Sequence, residues 1–108
     1  MSAEVSAPEA KTLLERGEAI ALDVREAYEW AEGHIAGALH VPLGELGQRL
    51  HEVPRNRRIV AVCRSGNRSG AVTQALAQAG YDVLNLAGGL ISWHRHGLPL
   101  EPAPGTVA

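Results

Sequence analysis

Short apolar runs alternate with amphipathic stretches along this chain, which predicts a parallel sheet flanked by helices. Ser6 and Glu9 stand three apart as in a capping box, with Pro8 in the first turn of a helix. Ala7, Ala10, Leu13 and Leu14 share one face of that helix, and Gly17 supplies a left-handed stop. Ala19 to Val24 reads as a buried strand meeting a polar pair, Asp23 and Arg25, at its end. A short helix over Glu26 to Ala31 follows, with Ala27, Trp30 and Ala31 expected inward. Ala38 to Val41 is a further apolar run, closed by Pro42. Leu43, Leu46 and Leu50 have helical spacing, although Gly44 and Gly47 weaken that helix by about 1 kcal/mol each.

The most regular unit comes next. Ile59, Val60, Ala61 and Val62 are uninterruptedly apolar, as a central parallel strand covered on both faces must be. Cys63 to Arg68 is a polar, Gly-containing loop, and from Ser69 the pattern turns helical. Ala71, Val72, Ala75, Leu76 and Ala79 line one face, and Gly80 stops the helix. Val83 to Leu86 is the last strand; Gly88 and Gly89 turn into a short helix with Leu90, Ile91 and Trp93, ended by Gly97 and Pro99. Val5 adds a short edge strand, giving about five strands in an α/β sheet. Pro99, Pro102 and Pro104 forbid regular structure near the end. Residues 4–100 are therefore read as one domain and residues 101–108 as a flexible Pro-containing tail.

Composition narrows the class. The 108 residues include 26 Val, Ile and Leu, enough for one core between packed layers and too many for a disordered chain. A net charge of −2 argues against a nucleic-acid or acidic-membrane binder. No apolar run approaches a membrane span, and no basic-then-apolar leader opens the chain, so a soluble, cytoplasmic protein is expected. A single cysteine excludes an internal disulfide, a Cys-x-x-Cys redox pair and a thiolate-rich zinc site.

That cysteine occupies a telling place. Ligands of open α/β sheets bind beyond the carboxyl ends of the strands, and Cys63 closes the most buried strand just before a helix N-terminus. Unpaired N–H groups of the loop and helix start point at the sulfur, and Arg64 and Arg68 add positive charge. Such surroundings favour thiolate over thiol and suit small anions. Buried inertly, Cys63 would be an ordinary small hydrophobe, but the Arg, Ser, Gly, Asn, Arg and Ser that follow cannot all be buried without partners.

These residues resemble the rhodanese-like sulfurtransferases from about Val5 to Leu100. Leu22-Asp23-Val24-Arg25 is similar to the family's "DVR" element, and Gly33-His34-Ile35-Ala36-Gly37-Ala38 with Pro42 to its "GHI-x-GA…P" segment. Cys63-Arg64-Ser65-Gly66-Asn67-Arg68-Ser69 resembles the active-site loop, and Leu86-Ala87-Gly88-Gly89 with Trp93 and Gly97-Leu98-Pro99 the closing segment. The resemblance implies a rhodanese-like fold, a five-stranded parallel sheet with helices on both faces. It also implies Cys63 as a sulfur-carrying nucleophile, with residues Arg64, Ser65, Gly66, Asn67, Arg68 and Ser69 binding the substrate. The implied function is transfer of a sulfane sulfur from thiosulfate or a related small anionic donor, through a persulfide, to cyanide, a thiol or a sulfur-acceptor protein. No cofactor is implied. His40 stands where the family commonly has Asn, which changes a structural hydrogen bond. Ser65 stands where tandem-domain thiosulfate enzymes carry Lys, which leaves the donor open.

Other residues read more plainly. Asp23 and Arg25 brace a loop or line the pocket. His34 is expected to hydrogen-bond near the Gly33 turn. His94 and His96, two apart on a helix, point different ways and make no metal site. Trp30 and Trp93 are expected in the core, not as a stacking platform. Arg55-Asn56-Arg57-Arg58 reads as a solvated turn, or alternatively as a docking surface for an acidic acceptor. Two other functions compete: a persulfide carrier serving one protein partner, and a cysteine-dependent phosphatase or arsenate reductase.

Overall fold

Five parallel strands, β1 (Glu4–Val5), β2 (Ile20–Asp23), β3 (Leu39–His40), β4 (Ile59–Val62) and β5 (Val83–Leu86), form one sheet in the order β1-β5-β4-β2-β3. The computed structural model describes residues 3–108 and adds helices α1 (Ala7–Glu15), α2 (Ala27–Glu32), α3 (Asn67–Gln78) and α4 (Gly89–Arg95). From β2 the chain goes to β3 on one side and then to β4 on the other, so a crevice opens at the carboxyl ends of β2 and β4.

The sheet separates two apolar clusters, and β4 feeds both. Val60 and Val62 pack with Ala7, Ala10, Leu90 and Trp93 of α1 and α4. Ile59, Ala61 and Cys63 alternate to the other face, against Val72 and Leu76 of α3. All four β4 residues are buried, which is why this strand lacks the polar alternation of a half-exposed one.

Several expectations are corrected. Leu43, Leu46 and Leu50 do not build one helix; the segment makes two single 3₁₀ turns, Leu43–Glu45 and Leu50–Glu52, and Leu43 stays 44% exposed. Gly44 and Gly47 in this short stretch deny a longer helix its propensity. α3 begins at Asn67, two residues before the sequence pattern turns helical at Ser69, and its inward stripe is Ser69, Val72, Thr73 and Leu76. Ala71, Ala75 and Ala79 face solvent, since alanine is small enough for either side and does not fix the helix rotation. Thr73 Oγ1 donates to Ser69 O at 2.8 Å, so the polar half of that stripe is satisfied. In α2 the inward residue is Glu29, while Ala27 and Ala31 are exposed. Trp93 is buried, with Nε1 donating to Pro99 O at 2.9 Å. Trp30 is instead half-buried, its ring stacked with the imidazoles of His34 (3.7 Å between centroids) and His40 (4.6 Å).

Candidate active site

The alternation along β4 delivers Cys63, wholly buried, to the α3 side of the sheet at the mouth of the crevice. The next three residues make a tight turn that only glycine completes easily: Gly66 has φ +99° and hands the chain into α3. The turn curls its amides onto the sulfur. Gly66 N–H donates to Cys63 Sγ at 3.0 Å and Ser69 N–H at 3.4 Å, and Ser69 Oγ lies 3.2 Å from the same sulfur.

The outward side of the turn is held separately. Leu90 N–H and Ile91 N–H, at the start of α4, donate to the carbonyls of Cys63 and Arg64 at 2.9 and 3.0 Å. With its carbonyls bound outward, the turn presents its N–H groups inward. Gly89 permits this approach: a Cβ there would lie 2.6 Å from Cys63 O and closer still to Arg64 O. A buried asparagine completes the frame, Asn85 Nδ2 donating to Gly66 O at 3.0 Å while its Oδ1 lies 2.6 Å from Ser69 Oγ.

Two opposing effects act on the Cys63 thiol. Burial pushes its pKa up, but hydrogen bonds from the Ser69 side chain and from the N–H groups of Ser69, Gly66 and Ser65 outweigh burial and hold it below the ordinary value. Thiolate is the nucleophilic form, so the turn suits Cys63 to attack.

The expected guanidinium contacts are placed differently. Arg68 Nη1 and Nη2 each donate at 2.8 Å to the Glu29 carboxylate on α2, not to the sulfur. Glu29 Oε1 also accepts from Glu26 N–H at 2.9 Å, so one buried carboxylate caps α2 and anchors the first turn of α3. Arg64 turns outward, its Nε donating to Ala108 O at 2.6 Å. Arg64, Ser65 and Asn67 form an exposed rim, whereas Gly66 and Ser69 touch the sulfur.

Asp23 and Arg25 come together as a buried pair, Arg25 Nη2 lying 2.8 Å from Asp23 Oδ2. Arg25, wholly buried, also donates to Glu29 O and Gly33 O, at 3.3 and 2.8 Å, so it braces the β2–α2 connection. His40 Nε2 contacts Arg25 O at 2.9 Å and His34 Nδ1 contacts Trp30 O at 2.8 Å, both structural bonds. The 55–58 arginines lie at the opposite strand ends: Arg55 bonds Ala79 O, Arg57 bonds Gly17 O and Arg58 pairs with Asp82. A cleft of about 280 Å³ lined by Lys11, Leu14, Ile35, Trp93 and Pro99 opens on the α1–α4 face and shares no residue with the sulfur site.

Sequence reasoning missed Glu29 and Asn85. Glu29 was hidden because a carboxylate on a short helix reads as solvent-facing. Asn85 left a usable signal, a polar residue inside the apolar strand Val83-Leu84-Asn85-Leu86, which requires a buried partner.

Comparison with known proteins follows the same lines. Residues 6–96 match the model of the rhodanese-like domain. A sulfurtransferase of Allochromatium vinosum is 42% identical over 94 residues, covering 86% of this chain and 88% of that protein. A rhodanese-related protein of Thermoplasma volcanium superposes with a TM-score of 0.86 at 30% identity, covering 91% of this chain and 96% of that one. Thiosulfate sulfurtransferase from Pseudomonas aeruginosa gives 0.82 at 33% identity, over 93% of this chain and 20% of that longer one. The family match covers most of the chain and the superposed structures repeat its topology, and so this protein belongs to the rhodanese-like domain family.

Proposed function

We propose that the chain is a sulfurtransferase that moves a sulfane sulfur from thiosulfate, or a related small anionic donor, through a Cys63 persulfide to cyanide or a thiol acceptor. The observation that carries this reading is the convergence of Gly66 N–H, Ser69 N–H and the Ser69 hydroxyl on one buried sulfur.

The Cys63 thiolate attacks the outer sulfur of thiosulfate. An S–S bond forms at Cys63, the donor S–S bond breaks, and sulfite departs with the electron pair. Sulfite is a stable anion, so the step needs no general acid, consistent with a turn lacking His, Asp and Glu. The negative charge now rests on the terminal persulfide sulfur, where inward-pointing N–H groups stabilise it as an oxyanion hole stabilises oxygen. Cyanide or a thiolate then takes that sulfur and regenerates the Cys63 thiolate, giving double-displacement kinetics.

Mass spectrometry of the protein after incubation with thiosulfate tests the reading. One added sulfur atom, removed by cyanide and absent in Cys63→Ser, is the expected result; an unchanged mass would reject it. Loading without appreciable turnover on small acceptors would favour a carrier that serves one protein partner.

A further inference from the structure

Ser69 has one hydroxyl proton and two neighbours that can receive it. Its Oγ lies 2.6 Å from Asn85 Oδ1 and 3.2 Å from Cys63 Sγ, and all three residues are buried. The far end of the Asn85 amide fixes which way it faces. Gly66 O is a carbonyl that only accepts, so the group 3.0 Å from it is the NH₂, and the amide oxygen faces Ser69. Asn85 Oδ1 also only accepts, which puts the Ser69 proton between the two oxygens. In the thiol state the sulfur then meets lone pairs of Ser69 Oγ and can donate its S–H to them, whereas the hydroxyl can donate to Sγ in the thiolate only by giving up its bond to Asn85 Oδ1.

We propose that Asn85 is a positioning residue for sulfur transfer: acting through the Ser69 hydroxyl, it stabilises the states in which Cys63 Sγ is uncharged, the resting thiol and the loaded persulfide, and yields the proton only to the thiolate. In the thiol the chain of bonds runs S–H to Ser69 Oγ and O–H to Asn85 Oδ1. When the thiol loses its proton to solvent, the hydroxyl turns to the sulfur anion and leaves Asn85 Oδ1 without that donor in a buried position. When Sγ bonds the donor's outer sulfur and the leaving group departs with its electrons, the charge moves to the terminal sulfur. Sγ is then neutral and two-bonded, the hydroxyl returns to Asn85, and recovery of that bond favours loading over reversal. This inference deepens the sulfur-transfer reading, but its test reads the thiol itself, so the two can fail separately.

The substitutions in that test leave the other charged groups on the elements around the sulfur site in place. They are Arg68 with Glu29 on α3 and α2, Arg64 on the turn, and the Asp23–Arg25 pair at the end of β2. The single cysteine makes its titration unambiguous, followed by alkylation rate against pH. Asn85→Ala should lower the titration midpoint by about one pH unit, speeding alkylation about tenfold below it. In a Ser69→Ala background the same substitution should leave the midpoint unmoved, while Ser69→Thr should preserve the coupling. A merely structural role of Asn85, exerted through Gly66 O, would persist without the hydroxyl. An equal shift in both backgrounds, or no fall in the first, would therefore overturn the proposal. The S–H infrared band covers the case in which Asn85→Ala does not fold. It should lie lower in the unmodified protein than in Ser69→Ala, and coincident bands would overturn the proposed proton arrangement.

Discussion

Glu29 and Arg68, thirty-nine positions apart, meet in a bidentate pair at 2.8 Å that ties the one-and-a-half turns of α2 to the first turn of α3. The pair sits beside the sulfur site without touching the sulfur, so Arg68 acts first as a brace. Glu29→Gln and Arg68→Ala should each cost about 1 kcal/mol, since Arg68 is about one-third exposed and the pair partly screened. Their effects on melting and on kcat/KM should overlap, the double variant being scarcely worse than either single one. Additive losses in that double-mutant cycle would show that Arg68 serves the donor independently.

The same carboxylate should shape acid stability. Hydrogen bonding from Arg68, against the opposing effect of burial, lowers the Glu29 pKa from 4.5 to about 2. An unfolded chain protonates this group near its ordinary value, before the folded one does. Its contribution to stability is therefore complete above about pH 4.5, declines as pH falls through that window, and is gone below about pH 2. Denaturant melts across this range should show a shallower acid decline for Glu29→Gln than for the unmodified protein.

Cys63→Ser should abolish sulfur transfer with the fold retained. Serine is close to cysteine in size, and the N–H groups of Gly66 and Ser69 can donate to oxygen as they do to sulfur. A serine hydroxyl, however, does not ionise near neutral pH and forms no persulfide. Thiosulfate:cyanide activity above a trace in this variant, alongside an unchanged circular dichroism spectrum, would remove Cys63 from the mechanism.

Loop length should separate sulfur from phosphorus chemistry. Arg68 follows Cys63 by five positions, one fewer than in cysteine phosphatases of the C-x5-R pattern, and α3 already begins at Asn67. The small circle of N–H groups fits one sulfur atom and crowds the three non-bridging oxygens of a phosphoryl group. Aryl phosphate hydrolysis and arsenate reduction should be negligible beside sulfur transfer. One small residue inserted between Gly66 and Asn67 should depress transfer. Comparable Cys63-dependent phosphatase turnover in the unmodified chain would assign the turn to phosphate instead.

How much of this was legible depended on what each residue's neighbours contribute. β4 was plain from Ile59 to Val62 because a strand covered on both faces must be apolar throughout. Cys63 followed from it, since a strand end is fixed once the strand is. The rotation of α3 was not legible. Ala71, Ala75 and Ala79 satisfy an apolar stripe without needing burial, whereas Ser69 and Thr73 are buried through bonds made elsewhere in the fold. The pairing of Arg68 was not legible for a related reason: Arg68 and Cys63 are close in sequence, whereas Glu29 lies thirty-nine positions away and meets Arg68 only in the folded chain. Trp30 looked like core by helical spacing, but its two imidazole neighbours are His34, which follows α2 and bridges to Glu101, and His40 on edge strand β3.

The outward carbonyls of Cys63 and Arg64 have a consequence for how this turn can change. Since α4 grips the peptide groups through Leu90 and Ile91, the side chains at 64, 65 and 67 are not needed to hold the turn in shape. In the proposed reaction the sulfur is held by main-chain amides together with the Ser69 hydroxyl, and the rim at 64, 65 and 67 is the part free to vary with whatever brings or removes it. On the proposed reading, exchanging Arg64, Ser65 or Asn67 should readdress the protein to a donor of different charge or bulk while a persulfide keeps the same cradle, which would make partner choice and sulfur chemistry separately heritable.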